Sequence, residues 1–384
     1  MFTAEELVDA AVAQTALSDF GSETFLEGLQ RLTRSLAEEA DLTPLGEDIL
    51  RARLSNLLSN RLRIEEVYRT SPQIDGEQIE GPIFIIGLPR TGTTALSQLL
   101  TADPQIRSLR LWESGDPVPP PDSDTQGNDP RIARTQQGLD AMYEAFPRMR
   151  SLYFQTATGA TECQDLLGMD FRTAQFDGMA RVPSYVEWVL GCDMRSAYEY
   201  HRRTLQLLQW HCPPRLWHLK TPVHLFALDR IVAVYPGARF LWTHRDPAEV
   251  LGSVCSLITY TRSWVSSRDD AAEIGRRQAS QWAEALRRGI AFRQSAGENR
   301  FADIHFATLN ADPIGALDQA YGRLGLELGD EARQRMRDWL AGNAKGSHGT
   351  HDYALRDVGL DAAGVRRQFE FYLKRFDVAL SEAG

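Results

Sequence analysis

Residues 81–101 read GPIFIIGLPRTGTTALSQLLT, and this run holds a strand, a glycine-bearing loop and the opening of a helix. Pro82 to Ile86 is a short apolar stretch rich in β-branched residues and stopped by Gly87, the pattern of a strand buried on both faces in a parallel sheet. Beyond the loop, Leu96, Leu99 and Leu100 recur at helical spacing, with Thr93 or Thr94 as the expected cap. Between them lies GLPRTGTT. Glycines at 87 and 92 let successive N–H groups converge on one anion, and the helix N-terminus adds its partial positive charge.

This loop departs from the nucleoside-triphosphate pattern GxxxxGK[ST] at one position. Thr93 stands where a triphosphatase carries lysine, and the loop's cation is Arg90, whose fork suits several oxygens at once. No acidic strand end of the kind that holds magnesium is evident. The loop therefore reads as a cradle for an anion that needs no metal, and a sulfuryl group is such an anion.

With 42 basic and 52 acidic side chains and a net charge of −10, the chain is a poor match for nucleic acid or an anionic membrane, so any anion site must be local. No stretch is apolar enough to span a bilayer, and the first ten residues, MFTAEELVDA, are acidic, so the expected location is the cytoplasm. Cys163, Cys192, Cys212 and Cys255 lack CxxC spacing and read as reduced packing residues. Oligomeric state is not legible.

The fold class expected is α/β, a P-loop-like parallel central sheet flanked by helices, with an N-terminal helical extension. Residues 1–75 form the helical layer and 76–384 the α/β domain. Helices are expected over Glu5–Ala16, Glu23–Ala40 and Gly46–Thr70, with leucine stripes such as Leu29, Leu32 and Leu36 turned inward. Further strands are expected at Gln105–Trp112, Arg215–Leu219, Ala238–Thr243 and Phe301–Phe306. The proline-rich run Asp116–Asp122 reads as a rim or lid. A ring-rich middle, including Tyr153, Phe154, Phe171, Phe176, Tyr185 and Trp188, reads mainly as core, with some rings free to line an apolar pocket. Thr221 and Asp246 are expected helix caps, each followed by proline, and Glu249 completes a capping-box spacing. Val250, Leu251, Val254, Leu257 and Ile258 form the inward stripe of the helix that follows. Gly342–Tyr353 is a glycine-rich loop able to approach a ligand.

Ligands of open α/β sheets sit beyond the carboxyl ends of the strands, and the Gly87 loop, Glu113, Lys220 and Arg245 all fall at such ends. Lys220 is one of only three lysines, with Lys345 and Lys374, in a chain whose other cations are arginines. A lysine there implies a wanted point charge. His224 reads as packed or capping, His244 as turned to the opposite face of its strand end, and His348 and His351 as a poor metal set.

GLPRTGTT, HLKTP and FLWTHRDPAEVLGSVCSL together resemble three segments of sulfotransferases that use 3′-phosphoadenosine 5′-phosphosulfate, PAPS: the phosphosulfate loop, the central lysine segment and the 3′-phosphate segment. The resemblance spans roughly residues 80–375 and is nearest the bacterial branch whose arginine-bearing loop is similar to that of tyrosylprotein sulfotransferases. It implies that Arg90, Thr91, Gly92, Thr93 and Thr94 hold the 5′-phosphosulfate and that Arg245 and Ser253 hold the 3′-phosphate. It further implies that Lys220 stabilises the transferring group and that Lys345, Gly346 and His348 belong to a loop closing over the nucleotide. Glu113 stands near the position of the branch's glutamate base, with Glu162 in TGATECQ as a second carboxylate for that role.

The expected reaction is in-line transfer from PAPS to the hydroxyl of a small, apolar acceptor, leaving 3′,5′-adenosine bisphosphate, PAP. Lipid, sterol, phenol, glycan and peptide acceptors all stay open. A metal-dependent P-loop kinase or NTPase would want lysine at Thr93, and a non-catalytic nucleotide-binding scaffold would have no use for Glu113 and Lys220 together.

Overall fold

Ile83–Gly87, Ile106–Ser108, Leu216–Lys220, Arg239–His244 and Phe301–His305 form strands β1 to β5 of one parallel sheet in the order β2-β3-β1-β4-β5. The computed structural model describes residues 1–212, 216–268, 270–343 and 354–381. All five residues of β1 are buried because both faces are covered. Ile83 and Ile85 pack with Leu96, Leu99, Leu100 and Leu241 on one side, while Phe84 and Ile86 pack with Leu219, Phe240 and Trp242 on the other. The period of two along a strand sends alternate side chains into these two cores.

The same alternation makes the crevice. Helix Thr93–Thr101 follows β1 and covers the first face, whereas helix Pro247–Arg262 follows β4 and sets Val250, Leu251 and Cys255 into the core of the second. Because the chain leaves two adjacent strands toward opposite faces, a gap opens beyond their carboxyl ends. Lys220 closes β3, in register with Ile85, and Thr243 of β4 pairs with Gly87, so Gly87, Lys220 and Arg245 share one rim of the sheet.

Helices Ala4–Thr15, Thr24–Glu39 and Pro44–Thr70 place Leu29, Leu32, Leu36, Leu54 and Leu58 at 0–1% exposure in the same core as Phe84 and Trp242. Arg61, fully buried, ties this layer to the body. Its three nitrogens donate to the carbonyls of Phe20 at 2.8 Å, Met169 at 3.1 Å and Ser22 at 2.7 Å, and it lies 3.6 Å from Asp170 and 4.0 Å over the Tyr200 ring. Removing one member of such a buried set strands the others. Arg61→Ala is expected to lower unfolding free energy by about 3–5 kcal/mol in urea titrations; a loss below about 1 kcal/mol would mean that water replaces these contacts without cost.

Several local expectations change in the folded chain. The strand expected over Gln105–Trp112 spans only Ile106–Ser108, and Leu111–Gly115 is a helical turn. β3 offers this edge strand three partners, after which the Leu111 and Trp112 N–H groups donate to the carbonyls of Gly159 and Ala157. Neither Thr93 nor Thr94 caps its helix; Gly92 does so at φ 87°, with no side-chain cap. Thr221 does not cap either, because its hydroxyl is committed to Glu162 and Gln164, and Pro222–Phe226 is 3₁₀. Asp246 does cap, accepting from the Ala248 N–H, but Glu249 pairs with Arg245 at 2.6 Å instead of closing a capping box. The run 116–122 is no lid over the crevice: Arg131 fastens the carbonyls of Asp116 and Pro119, and the run lines neither crevice cavity. Among the described residues no helix is long and apolar enough to cross a membrane.

Candidate active site

β1 ends at Gly87 with φ 135°, where a Cβ would lie 2.6 Å from the Thr243 carbonyl oxygen, so β4 approaches this closely only against glycine. Arg90 holds φ 62°, unusual for a residue with a side chain and found most often where a site dictates the backbone. Three contacts hold it there. Arg90 Nε donates to Ser253 Oγ at 3.0 Å and Nη1 to the Leu152 carbonyl at 3.0 Å, while Arg245 Nη1 donates to the Arg90 carbonyl at 2.9 Å. Arg245 also lies 4.1 Å over the Phe306 ring. The loop after β1 and the helix after β4 thus bring Arg90, Arg245 and Ser253 together.

Thr91 is turned inward. Its hydroxyl donates to the Leu88 carbonyl at 2.7 Å and meets Thr243 Oγ1 at 2.6 Å, and the whole residue is buried, so its side chain braces the loop from beneath and does not face the crevice. Gly92, Thr93 and Thr94 line the crevice, and a Cβ on Gly92 would sit 3.0–3.1 Å from Leu309 and Phe306. Lys345, Gly346 and His348 lie outside the described residues.

Two cavities flank this loop. One, of about 630 Å³, runs from Arg90, Arg245 and Ser253 past Glu162 and Gln164 to a wall of Val223, Val254, Leu257, Ile258 and Trp282. The expected inward stripe of helix Pro247–Arg262 therefore splits, with Val254, Leu257 and Ile258 forming cavity wall. The other, of about 530 Å³, is lined by Gln98, Phe154, Asn310 and Trp339. Arg90, Gly92, Thr94, Tyr153 and Phe306 stand between them and line both. The far end of the larger cavity is polar. Asp177 accepts there from Arg262 at 2.7 Å and Gln278 at 2.9 Å, and burial raises its pKa against the pull of Arg262.

The two candidate carboxylates have very different surroundings. Glu162 faces the larger cavity and accepts from Lys220 Nζ at 3.1 Å, Thr221 Oγ1 at 3.3 Å and Gln164 Nε2 at 3.2 Å. Glu113 is 1% exposed beneath the turn Leu111–Gly115; Arg107 donates to one oxygen at 3.3 Å, and neither cavity reaches it. A turn in place of the expected strand end carries Glu113 inward. Lys220 is also buried, at 2% exposure, and meets the cavity through Glu162. Sequence reasoning missed Gln164 and the link of Thr221 to Glu162; polar residues crowded into TGATECQ, between apolar stretches, were the available signal. His224 is packed as expected, bonded to Tyr198 at 2.8 Å, and His244 is buried and bonded to Asp303 at 2.8 Å.

Comparison with known proteins bears directly on this arrangement. A model described as the sulfotransferase family matches residues 82–330. The chain is 26% identical over 283 residues to omega-hydroxy-beta-dihydromenaquinone-9 sulfotransferase Stf3 of Mycobacterium tuberculosis and of Mycobacterium bovis, covering 71% of this chain and 70% of each relative. It superposes on the crystal structure of sulfotransferase STF1 from Mycobacterium tuberculosis with a TM-score of 0.87 at 34% identity, covering 96% of this chain and 98% of that one. For sulfotransferase STF9 from Mycobacterium avium the TM-score is 0.92 at 30% identity, covering 100% and 99%. A family match over the whole sheet, and two relatives that share the fold from end to end, establish that the chain belongs to the sulfotransferase family and is an enzyme of that family.

Proposed function

We propose that the enzyme takes its sulfuryl group from PAPS and delivers it to the hydroxyl of an apolar, lipid-like acceptor, with Glu162 as the general base. The observation that carries this reading is the carboxylate of Glu162, held by three donors and turned into the same cavity as Arg90, Arg245 and Ser253.

The residues fit such a donor. Gly92 leaves the first turn of helix Thr93–Thr101 without a side-chain cap, so its N–H groups and the Arg90 guanidinium can meet a sulfated phosphate. Arg245 and Ser253 supply donors for a second phosphate, and Trp339 in the adjoining cavity offers a flat face for a purine. PAPS supplies an activated sulfuryl group; the protein's task is to orient and stabilise. Glu162 accepts the proton of the attacking hydroxyl, and Lys220 and Thr221 hold its carboxylate toward the cavity. As the acceptor oxygen bonds to sulfur and the bond to the bridging phosphate oxygen breaks, charge passes to that phosphate, where Arg90 and the loop N–H groups lie. The apolar wall of Val223, Val254, Leu257, Ile258 and Trp282 supports an apolar acceptor, as does the menaquinone-derived compound in the name of the Stf3 relatives.

Calorimetric titration tests the donor assignment. PAP is expected to bind and ATP with magnesium not to compete. Arg245→Ala is expected to weaken PAP about tenfold or more, since a charge-assisted phosphate contact is lost. Unchanged PAP affinity in that variant would remove Arg245 from the nucleotide site.

A further inference from the structure

Beyond the wall that faces Glu162 lies a third cavity, of about 440 Å³, lined on its apolar side by Val189, Leu190, Leu225, Phe226, Leu228 and Phe292. It shares two lining residues, Ala174 and Val223, with the cavity that holds Glu162. Both are partly exposed, one just ahead of helix Gln175–Met179 and the other in the 3₁₀ turn that follows β3. Two further contacts join the cavities. Trp282 of the first packs on Phe226 of the second with centroids 5.6 Å apart, and Thr173 of the second donates to Gln164 Oε1 of the first at 2.9 Å. The outer end is polar: the partly exposed Arg230 pairs with Asp193 at 2.9 Å and lies 3.6 Å from Asp229, and Arg288 donates to the Leu190 carbonyl.

We propose that the two cavities form one acceptor channel, with Ala174 and Val223 as its constriction, built for an alcohol with a long unbranched or isoprenoid tail. This rests on the reading of Glu162 as the base. The hydroxyl lies at Glu162, the first part of the tail lies along Val254 and Ile258, and the rest passes Ala174 and Val223 into the outer cavity. A single-cavity site would stop selecting for tail length once the inner cavity was full. A channel continues to select, because each further methylene removed from water adds about fourfold in affinity.

The test uses n-butanol, n-octanol and n-dodecanol with the PAP-saturated full-length enzyme, reading affinity by tryptophan fluorescence, and with the PAPS-loaded enzyme, reading sulfate ester formed. Affinity and kcat/KM are expected to rise across the whole series. In Ala174→Trp the dodecanol-to-butanol ratio is expected to fall at least tenfold, and in Val223→Ala to rise. Gly191→Trp, in the outer cavity where an added Cβ meets nothing within 4 Å, is expected to lower the same ratio without touching the inner cavity. A response that levels off at octanol, with all three variants matching the wild-type ratio, overturns the channel. Tail-dependent binding with no sulfate ester from any alcohol supports the channel and counts instead against the proposed activity.

Discussion

Glu162→Gln is expected to lower kcat by about 10²- to 10⁴-fold, the usual cost of losing a positioned general base. Glutamine keeps the size of the side chain and can still accept from Lys220 and Thr221, so PAP affinity should stay within about twofold of wild type. The comparison that gives this result its meaning is Glu113→Gln. That carboxylate is buried against Arg107 with its second oxygen unpartnered, so its loss should register in the unfolding midpoint and change kcat less than about tenfold. Steady-state kinetics beside a calorimetric isotherm for each variant separates the two. Full activity in Glu162→Gln, with a large loss in Glu113→Gln, would reverse the assignment and require the turn Leu111–Gly115 to open during turnover.

Acid should begin to destabilise the protein before its carboxylates are titrated. His201, His218 and His224 are buried at 0–1% exposure, and burial pushes the first two down to about 3 and the third well below the usual histidine value, with Lys220 adding to the effect at His218 and His201 at His224. His201 and His224 each bond a tyrosine through Nδ1, to Tyr235 at 2.7 Å and Tyr198 at 2.8 Å, while Nε2 of each has no partner. A proton placed there would find no acceptor. His218 sits between Ser97 and Ser108. Because the folded values are depressed, the unfolded chain binds more protons below about pH 6.5, so the stability present above that value is lost as pH falls toward about 3. Each histidine contributes a slope of about 1.4 kcal/mol per pH unit, and three give about 4. Between about pH 6.5 and about pH 5 this removes about 6 kcal/mol, which already reaches the lower end of a typical total of about 5–15 kcal/mol. The raised pKa of Asp177 works in the opposite direction, whereas His244, pushed down to about 4 mainly by burial, adds to the loss. Thermal midpoints measured from about pH 7 to about pH 4.5 should fall steeply below about 6, and a flat profile would show that these rings take up protons without leaving the core.

Local sequence decides a feature wherever the physics is local. The run from Pro82 to Leu100 carries its own strand, turn and helix: alternate apolar residues need two covered faces, and Gly87 and Gly92 hold backbone angles and close approaches that side chains resist. The places of Arg90 and Arg245 were legible for the same reason, since a parallel strand ends at a predictable rim, while Ser253 was singled out by the family resemblance. Tertiary structure alone decided which carboxylate reaches the cavity. Glu113 and Glu162 both stand beside plausible chemistry in the sequence. Edge strand β2, however, has only three residues of β3 to pair with, so the chain turns early and buries Glu113 against Arg107. Residues 157–160 receive the N–H groups that the strand gives up, and this brings Glu162 to the Lys220 ammonium, 58 residues away in the chain. The strand order, the crevice between β1 and β4 and the narrow meeting of cavities at Ala174 and Val223 are likewise products of packing between distant segments, which no window of sequence contains.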